Sequence, residues 1–265
     1  MKLKIACVFV ALMPVSVAAA AEEWPTFDFR AGGYIATFNS DIRINDSGGI
    51  RGTDTDIEDV LDVDEGLSKF RLDAKWRFQP RHALEFSYYD VSRDGRRNID
   101  RELTIGDETY LIGTNIKSKF DFSVYKFSYA YSFYQTEKTD LSVSLGLHAI
   151  DFGLEVKGEI LNVPVNRETR DLVLPLPVLG INYTRHLGGR FSIGVEVDLF
   201  AIEYDDYKGN LWDANLTLDV DISERFGAYL GYNYVGMGIE SEDEDLLGEL
   251  DYEYGAFTLG VRMKF

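Results

Sequence analysis

The three histidines are the chain's groups able to act as general bases near neutral pH, and His148 is the one with hydroxyls on its own side of a strand. In the run Leu141-Ser142-Val143-Ser144-Leu145-Gly146-Leu147-His148, alternation turns Ser142, Ser144 and His148 to one face, with Glu155 further along. Ser, His and a carboxylate are the parts of a nucleophilic acyl-transfer site. The spacing opposes that use, because four residues of extended chain put Ser144 about 13 Å from His148 at roughly 3.3 Å per residue. His82 and His186 fall at predicted turns on the opposite side from the long loops. The pattern predicts no catalytic residue, and a histidine bonded into polar surroundings.

Two carboxylate runs suggest metal chemistry. Asp54, Asp56, Glu58, Asp59, Asp62, Asp64 and Glu65 lie close together, as do Glu240, Glu242, Asp243, Glu244, Asp245, Glu249, Asp251 and Glu253. Clustered carboxylates hold calcium or magnesium, but neither run has the Asp, Gly and Glu positions of an EF-hand loop. The expectation is therefore no cofactor, with a divalent cation at the acidic loops as the alternative to a solvated rim. A third segment carries Arg93, Arg96, Arg97 and Arg101 among Asp94, Asp100 and Glu102. Guanidinium forks suit lipid A phosphates just above the membrane, but pairing with the acidic loops is the preferred account. With 45 acidic against 27 basic side chains, a formal charge of −18, nucleic acid is not an expected partner.

The elements that carry these groups follow from alternation by two. In Phe70-Arg71-Leu72-Asp73-Ala74-Lys75-Trp76-Arg77-Phe78 one face is hydrocarbon and the other is ionic. A soluble sheet would rarely turn four successive charges to its core. With the faces inverted, the apolar row meets lipid and the charged row lines the bore of a barrel. The period returns at Leu84-Phe86-Tyr88, at Phe191 to Leu199, at Ala214 to Ile222 and at Phe257 to Phe265. It sends Asp28, Arg30, Arg71, Asp73, Lys75, Arg77, Glu85, Lys126, Glu196, Asp198, Asp219, Asp221, Arg262 and Lys264 inward. In so narrow a bore opposite charges must pair. The expected result is a packed ionic plug, and a narrow pore is the alternative.

The fold predicted is all-β, a single transmembrane antiparallel up-and-down barrel with a polar lumen and long extracellular loops. Ten strands are expected, at 26–40, 67–79, 81–93, 116–134, 140–157, 172–187, 190–205, 209–222, 226–240 and 250–265. Long connections are expected near 41–66, 94–115, 158–171 and 241–249. Pro175 and Pro177 remove two donors from the sixth strand, and if that segment is not a strand the count falls to eight. Apolar parity switches between Val124 and Phe127 and again between Ala149 and Phe152. Bulges, or strands leaving the membrane rim, would each produce such a switch.

The ends agree with this reading. Lys2 and Lys4, the apolar run Ile5 to Leu12 and the small residues Val17 to Ala21 predict an export signal at 1–21 and a barrel at 22–265. Cys7, the one cysteine, lies in that signal, so no disulfide is expected. The final strand closes on Phe265, which resembles the assembly signal of bacterial outer-membrane barrels. Together with the hairpin Arg71 to Tyr89 around Gln79-Pro80-Arg81, it makes the chain similar to small proteobacterial outer-membrane barrels of the outer membrane protein beta-barrel domain type, in members that remain uncharacterised. No peptidoglycan-binding domain is expected after the barrel. The resemblance implies the outer membrane of a Gram-negative bacterium, with barrel assembly machinery, membrane lipids and lipopolysaccharide as partners; the extracellular ligand stays open. It carries over no functional residue, and the His-x-Ser motif of lipid A deacylases is missing. The leading expectation is a non-enzymatic barrel with a structural or surface-binding role through its acidic extracellular loops; a narrow channel for small solutes or ions is the rival, and a lipid A-modifying enzyme ranks below both.

Overall fold

The computed structural model describes residues 24–45, 52–56, 66–90, 93–105, 107–160, 163–204, 207–241 and 248–265. The predicted export signal lies outside them, as do Glu58 to Glu65 and Glu242 to Asp245 of the acidic runs. In chain order the strands are β1 (Phe27–Ile44), β2 (Thr55–Asp56), β3 (Gly66–Gln79), β4 (His82–Asp90), β5 (Arg93–Asn98), β6 (Leu103–Ile105), β7 (Glu108–Tyr110), β8 (Asn115–Gln135), β9 (Thr139–Ile160), β10 (Val163–Gly188), β11 (Phe191–Tyr204), β12 (Tyr207–Asp221), β13 (Phe226–Ser241) and β14 (Gly248–Lys264). Consecutive wall strands pair antiparallel, and β14 pairs with β1 to close a ten-stranded barrel. β4 and β5 occupy one wall position, since both pair with β8, β5 above β4. No helix among the described residues is long and apolar enough to cross a membrane.

Which face meets lipid is settled on β3. Trp76 and Phe78 are 46% and 41% exposed, whereas Arg71 and Arg77 between the strands' inner faces are 5% and 7% exposed. Aromatic side chains mark the two edges of the apolar band. The lower edge has Phe27 stacked on Trp76 at 6.0 Å and His82 packed against Tyr131 at 5.2 Å. At the upper edge Tyr88 meets Tyr125 at 5.0 Å and Trp212 meets Tyr234 at 4.6 Å. Trp212 lies across Gly236, where an added Cβ would stand 2.2 Å from the indole nitrogen. From Trp212 on β12 to Ile222 just past its end the apolar outer row runs ten residue steps. At roughly 3.3 Å per residue and a tilt near 40° that is about 25 Å of height, enough for the hydrocarbon layer.

Above this band the environment inverts without any change of register. β8 pairs with β9 in unbroken step from Asn115 to Ser132, so neither parity switch is a bulge. Phe120, Phe122 and Val124 are buried in the bore, while Lys126, two residues below Val124 on the same face, joins the ionic layer. The strands have left the membrane, so the outer row becomes polar and the inner row apolar.

Two expected loops are strand instead. Residues 163–171 extend β10, and 93–98 form β5, continuing the wall upward. The prolines are tolerated because β10 pairs with β11 only from Leu179 onward. At Pro175 and Pro177 it has β9 alone beside it, and donors on the vacant side are not required. At the lower turn Gly188 and Gly189 take φ of 102° and 63°, conformations glycine adopts without steric cost.

Candidate functional site

The ionic layer is built by β1, β3, β4, β8, β11, β12 and β14 turning their charged faces to a common axis. Arg30 and Arg262 are direct partners across the closing seam, an arrangement that needs counter-charges. Arg30 binds both oxygens of Asp219 at 3.1 and 3.2 Å, and Arg262 holds Asp28 at 2.5 Å. Asp221 accepts from Lys264 at 2.6 Å and lies 3.9 Å from Arg262. On the neighbouring strand β3, where Asp73 is the direct partner of Arg30, Arg71 pairs with Asp73 at 2.9 Å, and Ser87 also donates to Asp73. Lys75 meets Glu85 at 2.7 Å, and Asn182 donates to the same carboxylate at 3.1 Å.

A further group centres on Lys126, whose ammonium touches Asp213 and stands 3.7 Å from Asp198. His148 Nε2 lies 3.2 Å from Asp198 Oδ2, over the intervening strand β10 rather than along its own strand toward Ser144. Glu196 lines a cavity of about 110 Å³ with Lys126, His148, Asn182 and Asp198. At the bottom Arg77 donates to Asp140 at 2.5 Å and to the Pro80 carbonyl at 3.0 Å. Trp24 covers this end: its indole donates to the Thr136 carbonyl at 3.0 Å, and its ring stacks on His186 at 4.6 Å. These contacts bring together the fourteen charged residues that alternation turns inward. Asp213, Asp140 and Trp24 were not among them. Asp213 shares the parity of Asp219 and Asp221, so the signal was present; Asp140 opens its strand, where no alternation had yet accumulated.

Over the ionic layer lie Tyr34, Tyr89 and Tyr254, each at most 3% exposed. The Tyr34 hydroxyl donates to the Asp90 carbonyl and that of Tyr254 to Asn233 at 2.7 Å. Higher still the bore is filled with aromatic rings. Tyr252 stacks on Phe122 at 4.5 Å, and Phe120 meets Phe152 edge-on at 5.3 Å. The hairpin β6–β7 closes the top with Leu103, Ile105 and Tyr110, whose hydroxyl donates to the Val156 carbonyl at 3.0 Å.

Arg93, for which the sequence offered the acidic loops ahead of lipid A phosphates as partners, is buried in this plug. Its guanidinium lies 4.3 Å from the Phe38 ring and 4.8 Å from that of Phe120, and it donates to Ser40. Arg96, Arg97 and Arg101 remain exposed.

Three of the described carboxylates of the acidic runs meet cations of the chain itself. Arg43 bridges Asp54 at 3.1 Å and Glu249 at 2.8 Å, and Lys208 holds Glu240 at 3.0 Å. Asp251 stands directly opposite Asp41, and partial burial together with Glu249 and Glu253 raises its carboxyl above the usual carboxylate range. Among the described residues the grouping with metal-ligand proximity is His148, Asp198 and Asp213. There the Lys126 ammonium already supplies the positive charge.

The chain has the fold of outer-membrane β-barrel proteins. It is similar to the outer membrane protease OmpT from Escherichia coli, with a TM-score of 0.60 at 8% identity over 94% of this chain and 99% of that one. The transport unit of the autotransporter AIDA-I from Escherichia coli aligns with a TM-score of 0.46 at 10% identity, covering 94% and 93% of the two chains. Ail, the attachment invasion locus protein of Yersinia pestis, aligns at 0.35 and 13% identity, covering 89% and 99%. No protein-family model and no curated protein sequence matches the chain. At these identities the likeness bears on the fold and not on activity.

Proposed function

We propose that the protein is a non-conducting, non-enzymatic barrel of a Gram-negative outer membrane, which holds a rigid collar above the lipid and binds surface ligands through charged groups on that collar. The observation that carries this reading is the aromatic plug. Phe120, Phe122, Phe152 and Tyr252 are each at most 2% exposed, stacked in the bore directly above the ion pairs. Water and ions crossing there would have to part packed hydrocarbon, so the paired charges below serve as a brace rather than a filter.

The histidines support a non-enzymatic role. His82 is bonded to Tyr129 at 2.5 Å in the lower belt, His186 to Ser192 at 2.8 Å beneath Trp24, and His148 to Asp198. Phe265 fits an assembly signal: it is 55% exposed on the outer face, and its backbone exchanges hydrogen bonds with Phe27 at the seam. In this reading the segment 1–21 directs export and is removed, and the barrel assembly machinery engages that last strand.

Planar-bilayer recording of refolded protein tests the proposal. We expect a silent bilayer under applied voltage after insertion is verified. Steady single-channel steps that change on substitution of Arg71 or Arg77 would restore the channel reading.

A further inference from the structure

Charge in the ionic layer does not balance. The fourteen residues that alternation turns inward hold seven cations and seven carboxylates, and Asp140 with Asp213 raises the carboxylates to nine among the described residues. Every cation has a carboxylate of its own: Arg77 has Asp140, Lys126 has Asp213, and the other five pair within the fourteen. Glu196 and Asp198 are left over. With His148 counted neutral the layer carries two negative charges in excess, which is costly in such confinement unless something positive joins them. Asp198 is partly relieved, since Lys126 stands 3.7 Å away and His148 lies 3.2 Å from it. Glu196 has no cation of the described residues within ion-pair distance.

The surroundings of Glu196 offer oxygen. Its direct partners on the two neighbouring strands are Asn182 of β10 and Asn215 of β12, and all three line the cavity of about 110 Å³. Asn182 is 8% exposed; its amide nitrogen donates to Glu85, but its Oδ1 is buried and accepts no hydrogen bond. A buried acceptor without a donor destabilises a fold, and beside an unpaired carboxylate a bound cation satisfies both groups at once. The cations that share the cavity wall, Arg30, Lys75 and Lys126 among them, already hold carboxylates.

We infer that the Glu196 carboxylate and Asn182 Oδ1 hold a hard divalent cation, magnesium or calcium, which keeps several of its waters in this cavity. One such ion cancels the excess of two charges. The donors are oxygens, the choice of hard cations, and a single carboxylate with an amide leaves coordination positions for the waters that magnesium in particular retains. The route is from below. Trp24, Pro25 and Arg262 line both this cavity and a wider one of about 770 Å³ at the lower mouth, whereas the aromatic plug closes the way upward.

The test uses refolded full-length protein in lipopolysaccharide-free detergent, stripped with chelator and titrated with magnesium chloride, then separately with calcium chloride, by isothermal titration calorimetry. One ion per chain is expected, with a melting temperature that rises as the ion is added. Glu196→Gln should weaken this site at least about tenfold, because the ligand charge is lost. Its metal-free form should melt higher than metal-free wild type, which verifies folding and reports the relieved excess charge. Glu240→Gln, on the outer collar, should leave the site intact. Should Glu196→Gln not fold, Asn182→Ser takes its place, with a smaller loss expected. Absence of a one-to-one site for either ion at roughly millimolar concentration overturns the inference and leaves bound protons to balance the layer. So does a site that survives Glu196→Gln or disappears with Glu240→Gln, which would place the ion on the acidic rim. None of these outcomes depends on whether the barrel conducts, so the cation site and the proposed function fail separately.

Discussion

Replacing Lys126 with methionine is expected to destabilise the barrel by about 3–5 kcal/mol, the range for removing one partner from a buried ion pair. Lys126 and its partners Asp198 and Asp213 have side chains only 2–6% exposed. Methionine keeps the length and the packing but leaves the carboxylates facing one another with Glu196 beside the same cavity. The measurement is the urea midpoint of protein refolded into lipid vesicles, followed by tryptophan fluorescence. Adding Asp213→Asn to the same chain should recover a large part of the loss, because the uncompensated charge is then gone while the amide still accepts from Asn233, which donates to Asp213 Oδ1 at 2.7 Å. A single variant within about 1 kcal/mol of wild type would mean that the ion pairs contribute little and that the lumen is solvated.

The second large effect belongs to the plug. Tyr252 is fully buried and contacts the rings of Phe38, Phe120, Phe122 and Tyr254. Truncation to alanine is expected to cost about 3–5 kcal/mol, the sum of lost transfer energy and of a cavity that stiff surrounding strands cannot collapse. Glu253→Ala, one residue further and on the outer face, should change stability by no more than about 0.5 kcal/mol. The contrast between adjacent residues separates a packed interior from a general sensitivity of β14. Equal small effects at both positions would show that the upper bore is loosely filled.

Alternation made the membrane-facing half of the molecule legible. From Phe70 to Phe78 every apolar side chain faces out and every charge faces in, and the fourteen ionic positions lie on the inner face. The upper half was not legible, because a period of two distinguishes the faces of a strand without saying which solvent bathes each. On β8 the apolar parity passes from Phe122 and Val124 to Tyr125 and Phe127; only the unbroken register shows that the surroundings changed and not the strand. Arg93 was misplaced for the same reason. Flanked by polar residues it reads as a loop cation, yet its partner across β8 is the buried Phe120.

The central claim is that a dry, apolar column stands inside the barrel above a paired ionic layer. Thiol accessibility along β9 probes it most directly, with single cysteines introduced after Cys7 is replaced by serine. At Asp151 and Glu155, on the outer face, a membrane-impermeant maleimide is expected to react within minutes; at Phe152 and Leu154, on the inner face, it should not react in folded protein. Labelling of Phe152→Cys or Leu154→Cys from outside as fast as Asp151→Cys would reveal a water-filled shaft and contradict the account.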